Sequence, residues 1–184
     1  MFAHVIDDRV CLQLLEHRHA EELYGLTEAN RAHLTPWFPW VETIRCSADS
    51  RTFIDGALKG FAEGKGVHCG IRLDRKLAGV VGSHTIDPVE GSAELGWWLG
   101  APYQGRGIMT RACVALIGYL VEQRSLHRIE ARCAAGNQRS QAVMESLGMR
   151  HEGTLKEGSR IGDTFDDTLI YGLLASEWKK QRCS

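Results

Sequence analysis

The segment Tyr103 to Arg111 reads YQGRGIMTR, two glycines flanking an arginine between an apolar run and a helix-like one. A loop of that form exposes backbone N–H groups at a helix N-terminus, where about half a positive charge favours phosphate. Gly105 and Gly107 carry no side chain, so a pyrophosphate can come close to the main chain, while Arg106 adds a charge or extends into solvent. An ordinary strand-to-helix turn uses the same glycines, and the fragment alone does not separate the two. Spacing sets two other phosphate loops aside. A nucleoside-triphosphate loop, G-x-x-x-x-G-K-[ST], needs a lysine that is absent near these glycines. A dinucleotide fingerprint, G-x-G-x-x-G, needs a glycine where Thr110 stands.

Other side chains capable of chemistry are scattered. Six cysteines, at 11, 46, 69, 113, 133 and 183, form no C-x-x-C pair, and no structural metal site is expected. Cys69, Cys113 and Cys133 fall in apolar periodic segments and read as buried, inert thiols. His68 and His84 lie on strand-like runs, and each reads as structural for want of a visible partner.

The elements that must position the loop follow from periodicity. A strand at Val10 to Leu14 leads into a helix in which Ala20, Leu23, Tyr24 and Leu26 share a face. Two prolines within Pro36 to Trp40 forbid a regular helix there, and a second helix is predicted from about Ala48 to Ala62, with Phe53, Ala57, Leu58 and Phe61 inward. From Val67 the period becomes two: VHCGIRL, LAGVVGSHTI and SAELGWWLG are strands joined by charged or glycine-containing turns. Ile108, Ala112, Leu116 and Leu120 recur every fourth residue and predict a helix to about Glu122. RIEARC is a strand, NQRSQAVMESLG a capped helix ending at Gly148, and two strands close the chain near Met149 to Glu157 and Thr164 to Leu174. The strand, helix and strand through residues 93 to 133 imply parallel pairing inside an otherwise antiparallel sheet. The fold class is α/β, or α+β, and residues 1–184 are expected to form a single domain.

Bulk composition narrows the partners. With 43% hydrophobic residues and a formal net charge of −1, the chain lacks the basic excess that nucleic-acid binding requires. The N-terminal MFAHVIDDRV carries acid early, and no run approaches the roughly 18 apolar residues of a membrane span. A soluble, cytoplasmic protein is expected, with neither nucleic acid nor membrane as a partner.

The segment ELGWWLGAPYQGRGIMTRACVALIGYL, followed by NQRSQAVMESLGM, resembles the acetyl-CoA-dependent GNAT N-acetyltransferases, and within them the ribosomal-protein serine N-acetyltransferase branch. The resemblance covers residues 8 to 178, and its core is the pattern [QR]-x-x-G-x-[GA], met here by Gln104 and Gly107, with Met109 where glycine or alanine is usual. It implies a mixed, mostly antiparallel twisted sheet of about seven strands, flanked by helices on both faces and opened in a V between two central strands. It also implies acetyl-CoA as cosubstrate, with no metal. The pyrophosphate would lie on the N–H groups of Gly105, Arg106, Gly107, Ile108, Met109 and Thr110, beside Gln104. The central strand would splay at a bulge, Leu99 would polarise the thioester carbonyl through its N–H, and Trp98 would flank the pantetheine. Asn137 would meet the pantetheine arm, and it is an ordinary N-cap in any case.

Transfer to an amine further needs a base for the ammonium and a proton for the leaving thiolate. Many relatives place a tyrosine seven residues after the asparagine, a position held here by Met144, and Ser140 is the expected substitute in this branch. A helix-surface hydroxyl is its other reading. Glu94, on the face opposite Leu95 and Trp97, is the expected base through a water; the late-loop position where this branch offers a glutamate holds Ser159, with Glu157 two residues earlier. Trp37, Phe38 and Trp40 either wall the acceptor site or fill the core. The function implied is acetyl transfer from acetyl-CoA to a primary amine by direct attack in a ternary complex, first among acceptors the N-terminal amine of a protein such as a ribosomal protein. Small-molecule amines (a polyamine, amino acid or aminoglycoside) and a non-catalytic acyl-CoA-binding module are the alternatives. A homodimer through the sheet edge or the apolar TLIYGLL is allowed.

Overall fold

The computed structural model describes residues 3–182, so Cys183 lies outside the described residues. One eight-stranded sheet runs through it in the order β1-β2-β3-β4-β5-β6-β8-β7. The strands are β1 (Ala3–Val5), β2 (Val10–Leu14), β3 (Val67–Leu73), β4 (Lys76–Asp87), β5 (Ser92–Leu99), β6 (Arg128–Ala134), β7 (Arg150–Ile161) and β8 (Thr164–Leu174). The helices are α1 (Ala20–Ala29), α2 (Arg31–Leu34), α3 (Ser47–Ala62), α4 (Ile108–Gly118), α5 (Gln138–Ser146) and α6 (Ala175–Arg182). The strand beyond the expected seven is β1, a three-residue edge piece paired with β2 and too short for a period-two signal. Across PWFPW the helix breaks as the prolines require, into α2 and a 3₁₀ turn over Pro39–Thr43.

Helices cover both faces. On one, Ile108, Ala112, Leu116 and Leu120 pack with Met144 and Trp178 against Ile71, Val81, Leu95, Ile129 and Leu173. On the other, Leu23, Leu34, Val41 and Ile54 pack against Leu15, Leu77, Val80 and Trp98. The inward face of α3 keeps Leu58 and Phe61 against the cores as expected and adds the buried Ser50 and Ile54, but Phe53 is 40% exposed. Phe53 instead meets the ring of His68 edge-on, with centroids 5.5 Å apart.

Only β5 and β6 run parallel, and they pair over just four residues, Ser92↔Arg128 to Leu95↔Ala131. Each strand continues beyond that point, β5 to Leu99 and β6 to Ala134. The sheet therefore opens in a V at its centre. The expected bulge lies on the other strand of the neighbouring ladder: β4 carries His84 as an extra residue between the pairs Ser83↔Leu95 and Thr85↔Glu94. TLIYGLL belongs to β8, which β6 and β7 hold on either side, so its backbone offers no free edge. Ile129 is fully buried below the point of parting, and Ile129→Ala should lower unfolding stability by about 2–5 kcal/mol. Urea denaturation should register this as an earlier midpoint at unchanged slope.

Candidate active site

The opening loop meets α4 at two glycines in the left-handed region, Gly105 at φ 70° and Gly107 at φ 65°, a conformation that costs glycine little. Gly107 is the N-cap, and its carbonyl accepts the first backbone bond of the helix from Arg111 N–H at 3.1 Å. The N–H groups of Ile108, Met109 and Thr110 consequently leave the helix terminus without intrahelical partners. The side chains of Ile108 and Met109 turn inward and are 2% and 6% exposed. Methionine in place of the usual glycine or alanine thus supplies its N–H to the loop and its thioether to the core. Arg106 is exposed, and Thr110 Oγ1 lies 3.1 Å from Ser146 Oγ, tying α4 to α5.

Gln104 links this loop to the parted strand. Its Nε2 lies 3.4 Å from the Leu99 carbonyl and 2.7 Å from His33 Nε2. Burial lowers the His33 pKa, and Arg139 adds to the shift, which favours the neutral ring that can share a proton with an amide. At the end of β5, Gly100 N–H donates to Ala78 C=O at 2.9 Å. Hydrogen-bonded and open pairs alternate along an antiparallel ladder, so Leu99 and Trp97, opposite Gly79 and Val81, turn their N–H groups away from β4. They face the gap that β6 has left. Leu99 is where an acyl oxygen would meet a free donor, and Trp97 presents a second that sequence reasoning passed over.

A cavity of about 880 Å³ opens on the α1–α3 side. It brings together Trp37, Trp40, Trp98, Glu94, Asn137 and Ser140, six residues drawn from three separate stretches of chain. Leu95 and Trp97 also border it, although alternation sends their side chains to the α4 face, so the cavity reaches through the V. Leu99 and the residues from Gln104 to Thr110 do not line it. The loop and the cavity are two half-sites joined by the gap. The tryptophans belong to the cavity: Trp40 is 38% exposed and stands 6.1 Å, ring to ring, from the buried Trp98.

Asn137 Oδ1 accepts Ser140 N–H at 3.2 Å, so the N-cap role holds at the mouth of the cavity. Met144 is fully buried and takes no part. Glu94 Oε2 lies 3.6 Å from Arg132 Nε. Ser159 lines the cavity with its Oγ 2.6 Å from Thr168 Oγ1, whereas Glu157 sits exposed at φ 52° in the bulged part of β7. Of the cysteines expected in the core, only Cys113 is fully buried; Cys133 is half-buried and lines the cavity. Burial, and then Asp166, pushes its thiol up to about 11. Among the described residues no group of three or more His, Cys, Asp or Glu side chains is placed to hold a metal.

The two strand histidines are not isolated. His68 and His84 face each other with ring centroids 5.4 Å apart, and both line the cavity. Burial, with the charge of His84 second, pushes His68 down to about 4. The unfolded chain would then bind this proton below the ordinary value of 6.5 while the folded chain resists it until about 4. The stability that neutral His68 confers is complete above pH 6.5 and falls away toward pH 4. Between those values the slope of stability against pH should be steeper in the wild type than in His68→Gln, measured by urea unfolding at each pH.

These features, free N–H groups at a glycine-bearing helix terminus, a parted strand with a donor facing the gap and a deep cavity beyond it, fit an acyl-CoA thioester and its pyrophosphate. Comparisons with known proteins agree. Residues 9–150 match the acetyltransferase (GNAT) domain. The chain is 33% identical to "Putative ribosomal N-acetyltransferase YdaF" of Bacillus subtilis (strain 168), over 99% of this chain and 100% of that one. It is 28% identical to the ribosomal-protein-serine acetyltransferase of Escherichia coli (strain K12), over 90% and 93%. Among solved structures, a ribosomal L7/L12 α-N-protein acetyltransferase in complex with coenzyme A superposes with a TM-score of 0.92 at 23% identity, covering 96% of this chain and 99% of that one. By fold, loop and sequence, the chain belongs to the GNAT family of acetyl-CoA-dependent N-acetyltransferases.

Proposed function

We propose that the acceptor is the N-terminal α-amine of a ribosomal protein, acetylated by direct attack in a ternary complex within one cytoplasmic acetyltransferase domain. The observation that carries this reading is the cavity of about 880 Å³, which joins an aromatic wall to the gap between β5 and β6. The names of the relatives point to the same acceptor class. Acetyl-CoA supplies the activated acetyl group. The N–H groups of Gly105 to Thr110, with Gln104 and Arg106 beside them, hold its pyrophosphate, and Asn137 and Trp98 border its pantetheine. Leu99 N–H stabilises the oxyanion that develops on the thioester oxygen. Glu94 draws the ammonium toward the floor and its proton away through a water, while Ser140 protonates the departing thiolate. Trp37 and Trp40 pack the leading residues of the peptide.

Much of the rate comes from holding amine and thioester together, an effect worth up to about 7 to 11 kcal/mol. We also propose that two copies pair through β7, the strand at the sheet edge, where Leu155 and Phe165 of the β7–β8 hairpin are 47% and 62% exposed. Sedimentation equilibrium should then give twice the chain mass.

Incubation with acetyl-CoA and peptides beginning in serine or alanine, with thiol release followed, tests the acceptor; turnover no faster than hydrolysis would remove it. Ser140→Ala should lower kcat by about 10²-fold. Because the cap is made by the Asn137 side chain and the Ser140 backbone, the acetyl-CoA-induced rise in melting temperature should persist in that variant.

A further inference from the structure

The cavity floor is built from an unusual row. His68 on β3 pairs with Gly82 on β4, which pairs with Gly96 on β5. Two adjacent positions on that face thus carry no side chain, and the histidine rings fill the trough. A Cβ on Gly82 would overlap the ring of His68, and one on Gly96 would overlap the ring of His84. The bulge in β4 lets His84 lean over Gly96, between Glu94 and the Trp98 wall.

The other ionisable groups of the cavity are engaged. On α3, Asp49 accepts the N–H groups of Arg45 and Cys46 at 2.8 and 3.0 Å as a helix cap. Glu94 of β5 is ion-paired with Arg132 of β6, and Arg160 of β7 donates to Gly162 C=O at 3.0 Å. The Cys133 thiol is held protonated. The Nδ1 of His68 is buried without a hydrogen-bond partner, a setting in which a charged ring is costly. His84 alone is exposed to the cavity with ring nitrogens that make no hydrogen bond or ion pair among the described residues.

We propose that His84 is a catalytic residue, the group on which the proton of the acceptor ammonium comes to rest, with neutral His68 as the positioning residue that packs its ring. The proposal rests on the acetyltransferase reading above and extends the role of Glu94. A carboxylate held by an arginine is a poor resting place for an ammonium proton. An imidazole is better matched to neutral pH as an acceptor of that proton. The protons balance. Of the three hydrogens on the ammonium nitrogen, the first passes to His84 and on to solvent. The second leaves as the C–N bond forms and the C–S bond breaks, and it ends on the thiolate by way of Ser140. The third stays on the amide.

The test compares wild type, His84→Gln and His84→Ala with acetyl-CoA and a serine-initiated peptide. The wild type should show an acid limb in kcat/KM besides the one contributed by the peptide's own amine at about 7.7 to 8.0. Loss of His84 should lower kcat/KM by about 10²-fold or more and remove that limb. Added imidazole should restore part of the activity of His84→Ala, and the acetyl-CoA-induced melting shift should remain in both variants. Activity of His84→Gln within about threefold of wild type, with the limb intact, would overturn the proposal. Wild-type turnover of spermidine but not of the peptide would instead overturn the acceptor reading, and the same comparison on spermidine would still decide the role of His84.

Discussion

Two parallel strands that cease to pair leave backbone donors and acceptors facing a gap, and buried polar groups of that kind need partners. β5 and β6 part after Leu95 and Ala131. The acceptor left at Leu99 is met by Gln104, which in turn reaches His33 on α2. The donors at Trp97 and Leu99 are left for whatever enters the gap. Both half-sites depend on this parting: the loop follows directly from the free end of β5, and the free end of β6, Arg132 to Ala134, lines the cavity. A fully paired sheet would close the passage and satisfy the donors at Trp97 and Leu99.

The rest of the architecture keeps the gap from closing. The α4 face fills with Ile108, Ala112 and Leu116, and the opposite face with Leu23, Val41 and Ile54, so the sheet is clamped on both sides while its centre stays open. Asn30, 6% exposed, accepts Ala101 N–H at 2.8 Å and donates to Leu26 C=O at 2.8 Å. It fixes the end of α1 to the turn that follows β5, so the direction of the parted strand is set from the side of the α1–α3 cavity as well as from the loop.

Legibility from sequence followed the range of the interactions. The Val10–Leu14 strand and the α3 helix have short periods and appear as read, within a residue or two at their ends, while the α4 run is α-helical to Gly118 and continues as a π-helical turn over Tyr119–Gln123. The phosphate-type loop was legible because its requirement, glycine at positive φ beside a helix start, is local. Less was legible where a contact joins distant segments. Helical period points Phe53 inward, yet the space it faces is a cavity, which periodicity cannot distinguish from a core. Strand period points Cys133 to the core in the same way, and it too lines the cavity. His68 and His84 stand 16 positions apart, and their pairing depends on the β3–β4 register and on a bulge that no composition signal marks.

The two glycines of the floor show how close this was to being readable. Gly82 and Gly96 interrupt otherwise apolar strands, and an isolated glycine in a strand marks a bulge or a close approach of other atoms. Both meanings hold here at once. The bulge sits at His84, and the atoms that approach are the two imidazoles. Any larger residue at position 96 must displace the His84 ring from its place over the strand. The smallness of these residues, and not the chemistry of their neighbours alone, therefore determines which side chain can stand over the cavity floor at Gly96.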